Sequence, residues 1–206
     1  MLPAGIIISY LLGSIPTAYI FGRIIKGIDI RDFGSGNVGA TNVFRVLGPA
    51  WGIFVLILDI LKGIIPVTAL ADYFIGYTEI SPEILRIVFG FACVCGHNWT
   101  LFLRFRGGKG VATTLGVLIG LATAVAELRL ILLLVILVWL AVFLILRFVS
   151  VASVASALSF PVFVFVFHRS KELLALGIAL AILIVLRHKK NLLNLLHGKE
   201  RPLSLK

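Results

Sequence analysis

Three polar stretches in an otherwise apolar chain carry side chains suited to phosphate. The first, GSGNVGATNVFR, runs from Gly34 to Arg45. Gly34, Gly36 and Gly39 admit close approach and positive φ; Ser35, Asn37, Thr41 and Asn42 offer hydroxyl and amide groups; the Arg45 guanidinium is a planar fork that matches phosphate oxygens. The pattern predicts a cradle whose backbone N–H groups and side chains gather round an anion. The second stretch, GHNWTLFLRFRGGKG, spans Gly96 to Gly110 and leads into an apolar helical run. Gly107, Gly108, Lys109 and Gly110 at a helix N-terminus would combine unpaired N–H groups, the positive end of a helix dipole and a cation. In the third, RHKKNLLNLLHGKERP from Arg187 to Pro202, leucines 192, 193, 195 and 196 alternate with Lys189, Lys190 and Asn194. That spacing predicts a short amphipathic helix on the membrane interface, with His188 and Asn191 three apart on one face.

Other readings of these glycines fail on context. Gly34, Gly36 and Gly39 spell GxGxxG with Asp59 downstream, but Trp51–Ala71 reads as one apolar helix rather than a helix followed by a second strand, which counts against a dinucleotide fold. The second stretch is no Walker A loop, because Leu103 stands where glycine is required and Gly110 follows Lys109 in place of Ser or Thr. Cys93 and Cys95 are too close for an easy disulfide and too few for zinc, which makes them small buried residues. No metal and no cofactor is expected. Ser35 has no visible base and orienting acid, so its hydroxyl reads as a phosphate ligand rather than a nucleophile.

The elements that must position these stretches are membrane helices. Of 206 residues, 60% are hydrophobic and 14% charged, and mean hydropathy is +1.12, against roughly one-quarter charged in soluble domains. The fold class is an all-α integral membrane protein, a single polytopic bundle over residues 1–206, because no linker-like segment divides it. Candidate spans are Met1–Gly22, Trp51–Ala71, Ile84–Trp99, Gly110–Ala126, Leu130–Leu146, Phe148–Phe167 and Glu172–Leu186. Seven crossings follow, five or six if the shortest are re-entrant or lie on the surface. The first cation, Arg23, comes after the first apolar run, which marks a retained helix with its N-terminus outside rather than a cleaved signal. The cytoplasmic segments then hold 14 cations and the external ones Arg86, Arg129, Arg169 and Lys171, as the positive-inside rule requires. The C-terminus is cytoplasmic, and the three polar stretches share that side. A basic cytoplasmic face accounts for the net charge of +10 without nucleic acid.

A few further residues complete the candidates. Asp59 and Lys62, at i and i+3 within an apolar helix, read as an ion pair, structural or functional. Ser150, three residues after Arg147, either faces the site or bonds a backbone carbonyl. His97 either orients the glycine loop or is a satisfied structural histidine. Gly116 and Gly120 form GxxxG, a close helix contact. His168 falls outside.

Together, GSGNVGATNVFR, GH…FLRFRGGKGVAT and RHKKNLLNLLHGKE resemble, in order, the three motifs of the bacterial acyl-phosphate:glycerol-3-phosphate acyltransferases, the PlsY family. One departure is Thr100, where many relatives carry proline. The resemblance implies transfer of a fatty acyl group from acyl phosphate to the 1-hydroxyl of glycerol 3-phosphate, giving lysophosphatidic acid and phosphate, in a bacterial inner membrane with the site on the cytoplasmic side. By position, Ser35 and Arg45 match the first motif's essential pair, Gly107 to Gly110 the phosphate loop, and His188 and Asn191 the third motif's histidine and asparagine. Glu200 matches a glutamate that ties the tail to the body. The implied partners are the two substrates and membrane lipids. The hydroxyl proton goes to His188 or to a donor phosphate oxygen.

Two competing functions are weighed against the chain. Acyl-CoA-dependent enzymes of the usual type pair a histidine with an aspartate five positions on, but here the residues five after His97, His168, His188 and His197 are Phe102, Leu173, Leu193 and Pro202. A transporter of phosphate esters would also use broken helices aimed at an anion; yet the chain shows no internal repeat, and Asp59 and Lys62 are the only formal charges away from the ends of the spans.

Overall fold

The computed structural model describes residues 1–168, 170–200 and 202–203; Arg169, Arg201 and Lys206, which enter the charge count, lie outside the described residues. Among the described residues every regular element is helical. Five helices are long and apolar enough to cross a membrane: Leu2–Lys26, Pro49–Ile75, Pro82–Leu103, Leu128–Leu146 and Val149–Phe167. Val111–Ala124 is a shorter apolar helix, and the last predicted span falls on Lys171–Arg187. The chain is an integral membrane protein. It divides into two compact units, Met1–Leu121 and Ala122–Lys206.

In the first unit, proline breaks what the hydropathy pattern predicts as one helix over Met1–Gly22. Helix α1 covers Leu2–Ser14 and α2 covers Thr17–Lys26. Pro16 has no N–H to continue the ladder and pushes Ile15 out of the helical region, to φ −55°, ψ 113°. A short 3-10 turn, Ile30–Asp32, leads to α3 (Ala40–Leu47) and α4 (Pro49–Ile65). A π-helical turn at Pro66–Leu70 continues α4 into α5 (Ala71–Ile75), again where a proline withdraws a donor. Helix α6 (Pro82–Asn98) packs along α1. Their backbones touch, since a Cβ on Gly13 would overlap the Cys93 carbonyl and one on Gly96 the Tyr10 carbonyl. Helix α7 starts at Val111 and ends at Ala124. Its Gly116 lies against the Ile60 carbonyl of α4 and Gly120 against Val67, the close contact predicted for the GxxxG pair. Ala18, Val38, Val43, Val55 and Leu103 form one buried apolar cluster, which joins α2, α3 and α4 to both glycine-rich stretches.

The second unit is built from α8 (Leu128–Leu146), α9 (Val149–Phe167), α10 (Lys171–Arg187) and α11 (Lys189–Leu196). Helix α9 packs against α8 and α10. On α8, Leu130, Leu133, Leu137, Leu140 and Leu144 are each 42–59% exposed. That stripe of helical spacing is untenable in water and matches a lipid-facing surface.

Candidate active site

The loop of the first stretch is built from inside by Asn42. Its buried amide donates to the carbonyls of Ile30 (3.0 Å) and Phe33 (3.1 Å), and its Oδ1 accepts the Ser35 N–H at 2.8 Å. The Gly36 N–H donates to the Phe33 carbonyl at 3.0 Å. Gly34 and Gly36 take φ of +62° and +69°, and a Cβ on Gly34 would overlap Asn42 Oδ1. Upstream, Asp29 accepts the Arg31 N–H and its guanidinium, with the shortest contact 2.6 Å. The Arg31 hydrogen bond holds the Asp29 carboxyl down from 3.8 to about 2. Lys26 Nζ donates to the Val46 carbonyl at 2.7 Å, capping the far end of α3. The result is a fixed backbone that presents an exposed Ser35, with half-buried Asn37 and Thr41 close by and half-buried Arg45 in the last turn of α3.

The second stretch folds back on the end of α6. Gly107 N–H donates to the Asn98 carbonyl at 3.2 Å and Gly108 N–H to the His97 carbonyl at 3.0 Å. Four N–H groups predicted to face an anion, those of Ser35, Gly36, Gly107 and Gly108, are therefore committed within the chain. Helix starts leave their first N–H groups without an intrahelical acceptor, and two helices start at these loops, α3 at Ala40 and α7 at Val111, the latter just after Gly110 at φ +80°. The two stretches meet: a Cβ on Gly108 would stand 2.6 Å from the Val38 carbonyl and overlap His97 Nε2. Gly108 is thus required by the chain's own packing, where the sequence pattern predicts a need for ligand approach.

Beneath this pair of loops lies a buried polar cluster. Asp59 and Lys62 form the predicted ion pair at 2.8 Å, 1% and 6% exposed. Asp59 Oδ1 also accepts Thr17 Oγ1 at 2.6 Å, and Lys62 Nζ donates to the Ile15 carbonyl at 3.1 Å, the carbonyl left at the proline break. His97 Nδ1 is 3.9 Å from Asp59 Oδ1. Cys93, buried as predicted, gives its Sγ to the Lys62 carbonyl at 3.1 Å.

In the second unit, His188 sits at the junction of α10 and α11, 2% exposed, where the sequence pattern puts it within one helix face. Its Nδ1 lies 2.8 Å from the Ile184 carbonyl. A carbonyl accepts only, so Nδ1 carries a proton and donates to it. Asn191 Nδ2 donates to Glu200 Oε1 at 2.6 Å, and the Leu203 N–H to the Arg147 carbonyl at 3.1 Å, so the tail is tied at Glu200 and again at the turn before α9. Ser150, in the first turn of α9, is buried and its hydroxyl has no hydrogen-bond partner among the described residues. Of its two predicted roles, the bond to a backbone carbonyl is not made.

Comparison with known proteins shows the family. Residues 4–198 match the model of the glycerol-3-phosphate acyltransferase family. The chain belongs to that family. A glycerol-3-phosphate acyltransferase of Desulforudis audaxviator is 43% identical over 204 residues, covering 97% of this chain and 94% of the relative. One of Fusobacterium nucleatum is 37% identical over 195 residues, covering 95% and 94%. The crystal structure of PlsY, an integral membrane glycerol 3-phosphate acyltransferase, in its glycerol 3-phosphate form aligns with a TM-score of 0.86 at 39% identity, covering 98% of this chain and 96% of that one. Its lysophosphatidic acid form aligns at 0.83 and 38%, covering 98% and 95%.

Four residues that support the candidate site are not among those predicted for it. Asp29 holds Arg31 ahead of the first loop, the Val38 carbonyl packs on Gly108, Thr17 holds Asp59, and Asn98 is fully buried with neither amide atom hydrogen-bonded among the described residues. Asn98 Oδ1 is 2.8 Å from where a Gly110 Cβ would stand. Only Thr17 had a sequence signal, a hydroxyl directly after a proline inside an apolar run.

Proposed function

We propose that this acyltransferase moves a fatty acyl group from acyl phosphate to the 1-hydroxyl of glycerol 3-phosphate, releasing lysophosphatidic acid and phosphate, in a bacterial inner membrane with its reacting groups on the cytoplasmic side. The observation that carries the reading is the packing of Gly108 on Val38, by which the Ser35 loop and the Lys109 loop meet within one unit. With the loop N–H groups largely committed, side chains take the anions. Ser35 Oγ and the Lys109 ammonium bind the acyl phosphate, with Asn37, Thr41 and the start of α7 behind them, and Arg45 binds the glycerol phosphate bidentately. In the second unit His188, Asn191 and Ser150 place the acceptor. We read residues 1–206 as one functional domain.

Acyl phosphate is a mixed anhydride with a good leaving group, so orientation and charge stabilisation supply most of the catalysis and no acyl-enzyme is needed. The acceptor oxygen attacks the carbonyl carbon, the C–O bond to phosphate breaks, and the hydroxyl proton passes to His188 Nε2 or to a phosphate oxygen of the donor. The test is phosphate release by purified protein given acyl phosphate and glycerol 3-phosphate in chelator, with parallel arms containing acyl-CoA or radiolabelled donor. Turnover with acyl phosphate alone is expected. Robust acyl-CoA turnover, or stable label on Ser35, overturns the donor or the direct-transfer step.

A further inference from the structure

The GGKG loop rests on two consecutive residues at the end of α6, and one of them is itself held from α4. His97 supplies its carbonyl to the Gly108 N–H at 3.0 Å, while its ring nitrogen Nε2 occupies the place where any Gly108 side chain would go. The loop backbone thus lies directly on the imidazole. The other nitrogen, Nδ1, points to Asp59 at 3.9 Å, in ion-pair range rather than hydrogen-bonded. Asp59 cannot drift: its Oδ1 accepts the Thr17 hydroxyl at 2.6 Å and the Lys62 ammonium at 2.8 Å, and Lys62 is anchored in turn on the Ile15 carbonyl at the proline break. All four side chains are at most 8% exposed.

A charge pair at this depth is costly to bury and a weak source of stability. Merely joining helices would need no imidazole under the phosphate loop. We propose that Asp59, held by Thr17 and Lys62, is a positioning residue that acts through His97: it fixes the imidazole, and the imidazole fixes Gly108 and hence the reach of Lys109 to the substrate phosphate. This rests on the reading of Lys109 as a phosphate ligand. It assigns the intramembrane ion pair a role in substrate affinity, transmitted over one side chain.

The test uses the full chain in detergent or bilayer discs, with kcat and KM for each substrate and thermal unfolding followed by tryptophan fluorescence. Asp59→Asn/Lys62→Gln removes both charges while keeping hydrogen-bonding groups, which avoids a lone buried charge. His97→Asn keeps a nitrogen near Asp59 and vacates the place under Gly108; His97→Gln does the reverse. A misplaced loop raises KM for a phosphate substrate by about tenfold or more, within the ~100-fold that a 1 Å misplacement can cost. A purely structural pair instead lowers the folded fraction, and with it apparent kcat, at unchanged KM. The expected results are raised KM in Asp59→Asn/Lys62→Gln, a larger rise in His97→Asn than in His97→Gln, and no further rise when the pair is neutralised in His97→Asn. Unchanged KM in the neutralised pair, or a full additive rise in the combined variant, overturns the relay. If the neutralised pair does not fold, wild-type KM in both His97 variants overturns it instead. Wild-type protein that does not turn over at all defeats the functional reading, a separate outcome.

Discussion

Asn42→Ala is the most telling single change in the first loop, because the residue touches backbone on three sides and sits 1% exposed. The substitution removes the donor to Ile30 and Phe33 and the acceptor for the Ser35 N–H, bonds of 3.0, 3.1 and 2.8 Å. At about 1 kcal/mol net for each bond the loss is about 3 kcal/mol, more where a freed group stays dry. At about 1.4 kcal/mol per tenfold, a loop that must be reformed for each turnover loses on the order of 100-fold in kcat/KM. The assay is phosphate release from acyl phosphate and glycerol 3-phosphate. Because Asn42 acts by fixing the backbone that carries Ser35, its effect is not independent of that hydroxyl. In a Ser35→Ala background, Asn42→Ala adds well under its single-variant effect, and the double-mutant cycle measures the difference. Activity within about threefold of wild type in Asn42→Ala, or strict additivity with Ser35→Ala, refutes the claim that Asn42 builds the Ser35 presentation.

The other predictions are simpler. Ser35→Ala removes a ligand aimed at developing phosphate charge and lowers kcat by roughly 100- to 1,000-fold, read in the same assay. Arg45→Lys keeps the charge and loses the fork, so kcat/KM falls sharply while the unfolding temperature stays near wild type. Gly108→Ala overlaps His97 Nε2 and crowds the Val38 carbonyl; it lowers activity in the same assay, and wild-type turnover in Gly108→Ala would refute the packing argument. Asp29, with its carboxyl held at about 2 against an ordinary 3.8, contributes stability that is full above about pH 4 and is lost as pH falls through 2. Thermal unfolding between pH 5 and 2 therefore shows a shallower acid decline in Asp29→Asn than in wild type.

What the sequence made legible followed physical rules that act locally. Length and hydropathy located the five helices long and apolar enough to cross a membrane, since an apolar run of that size has few other folds open to it. The i, i+3 spacing sufficed to pair Asp59 with Lys62, and the leucine spacing marked α11 at Lys189–Leu196. Helix continuity was less legible. Pro16 and Pro66 sit inside apolar runs, and hydropathy does not register the missing donor that splits one run and puts a π turn in the other. Least visible was the direction of each polar group. Asn42 and Ser35 have similar chemistry in the sequence, but one is buried against carbonyls twelve and nine residues back and the other is exposed, a distinction that only long-range packing makes.

The glycines of the two loops illustrate the same point and shift the chemistry toward side chains. A glycine-rich motif beside a cation invites a reading in which N–H groups wrap the ligand, as they do in nests. Here Gly36, Gly107 and Gly108 donate to the carbonyls of Phe33, Asn98 and His97, and the absent Cβ of Gly34 and Gly108 makes room for Asn42 and His97. The glycines thin the wall between loop and support, so that a buried amide and a buried imidazole sit directly under the backbone carrying Ser35 and Lys109. In the proposed site, phosphate recognition depends on a hydroxyl and an ammonium whose backbones are fixed from below. Changes to Asn42 or His97 should therefore act on substrate affinity although neither side chain faces solvent.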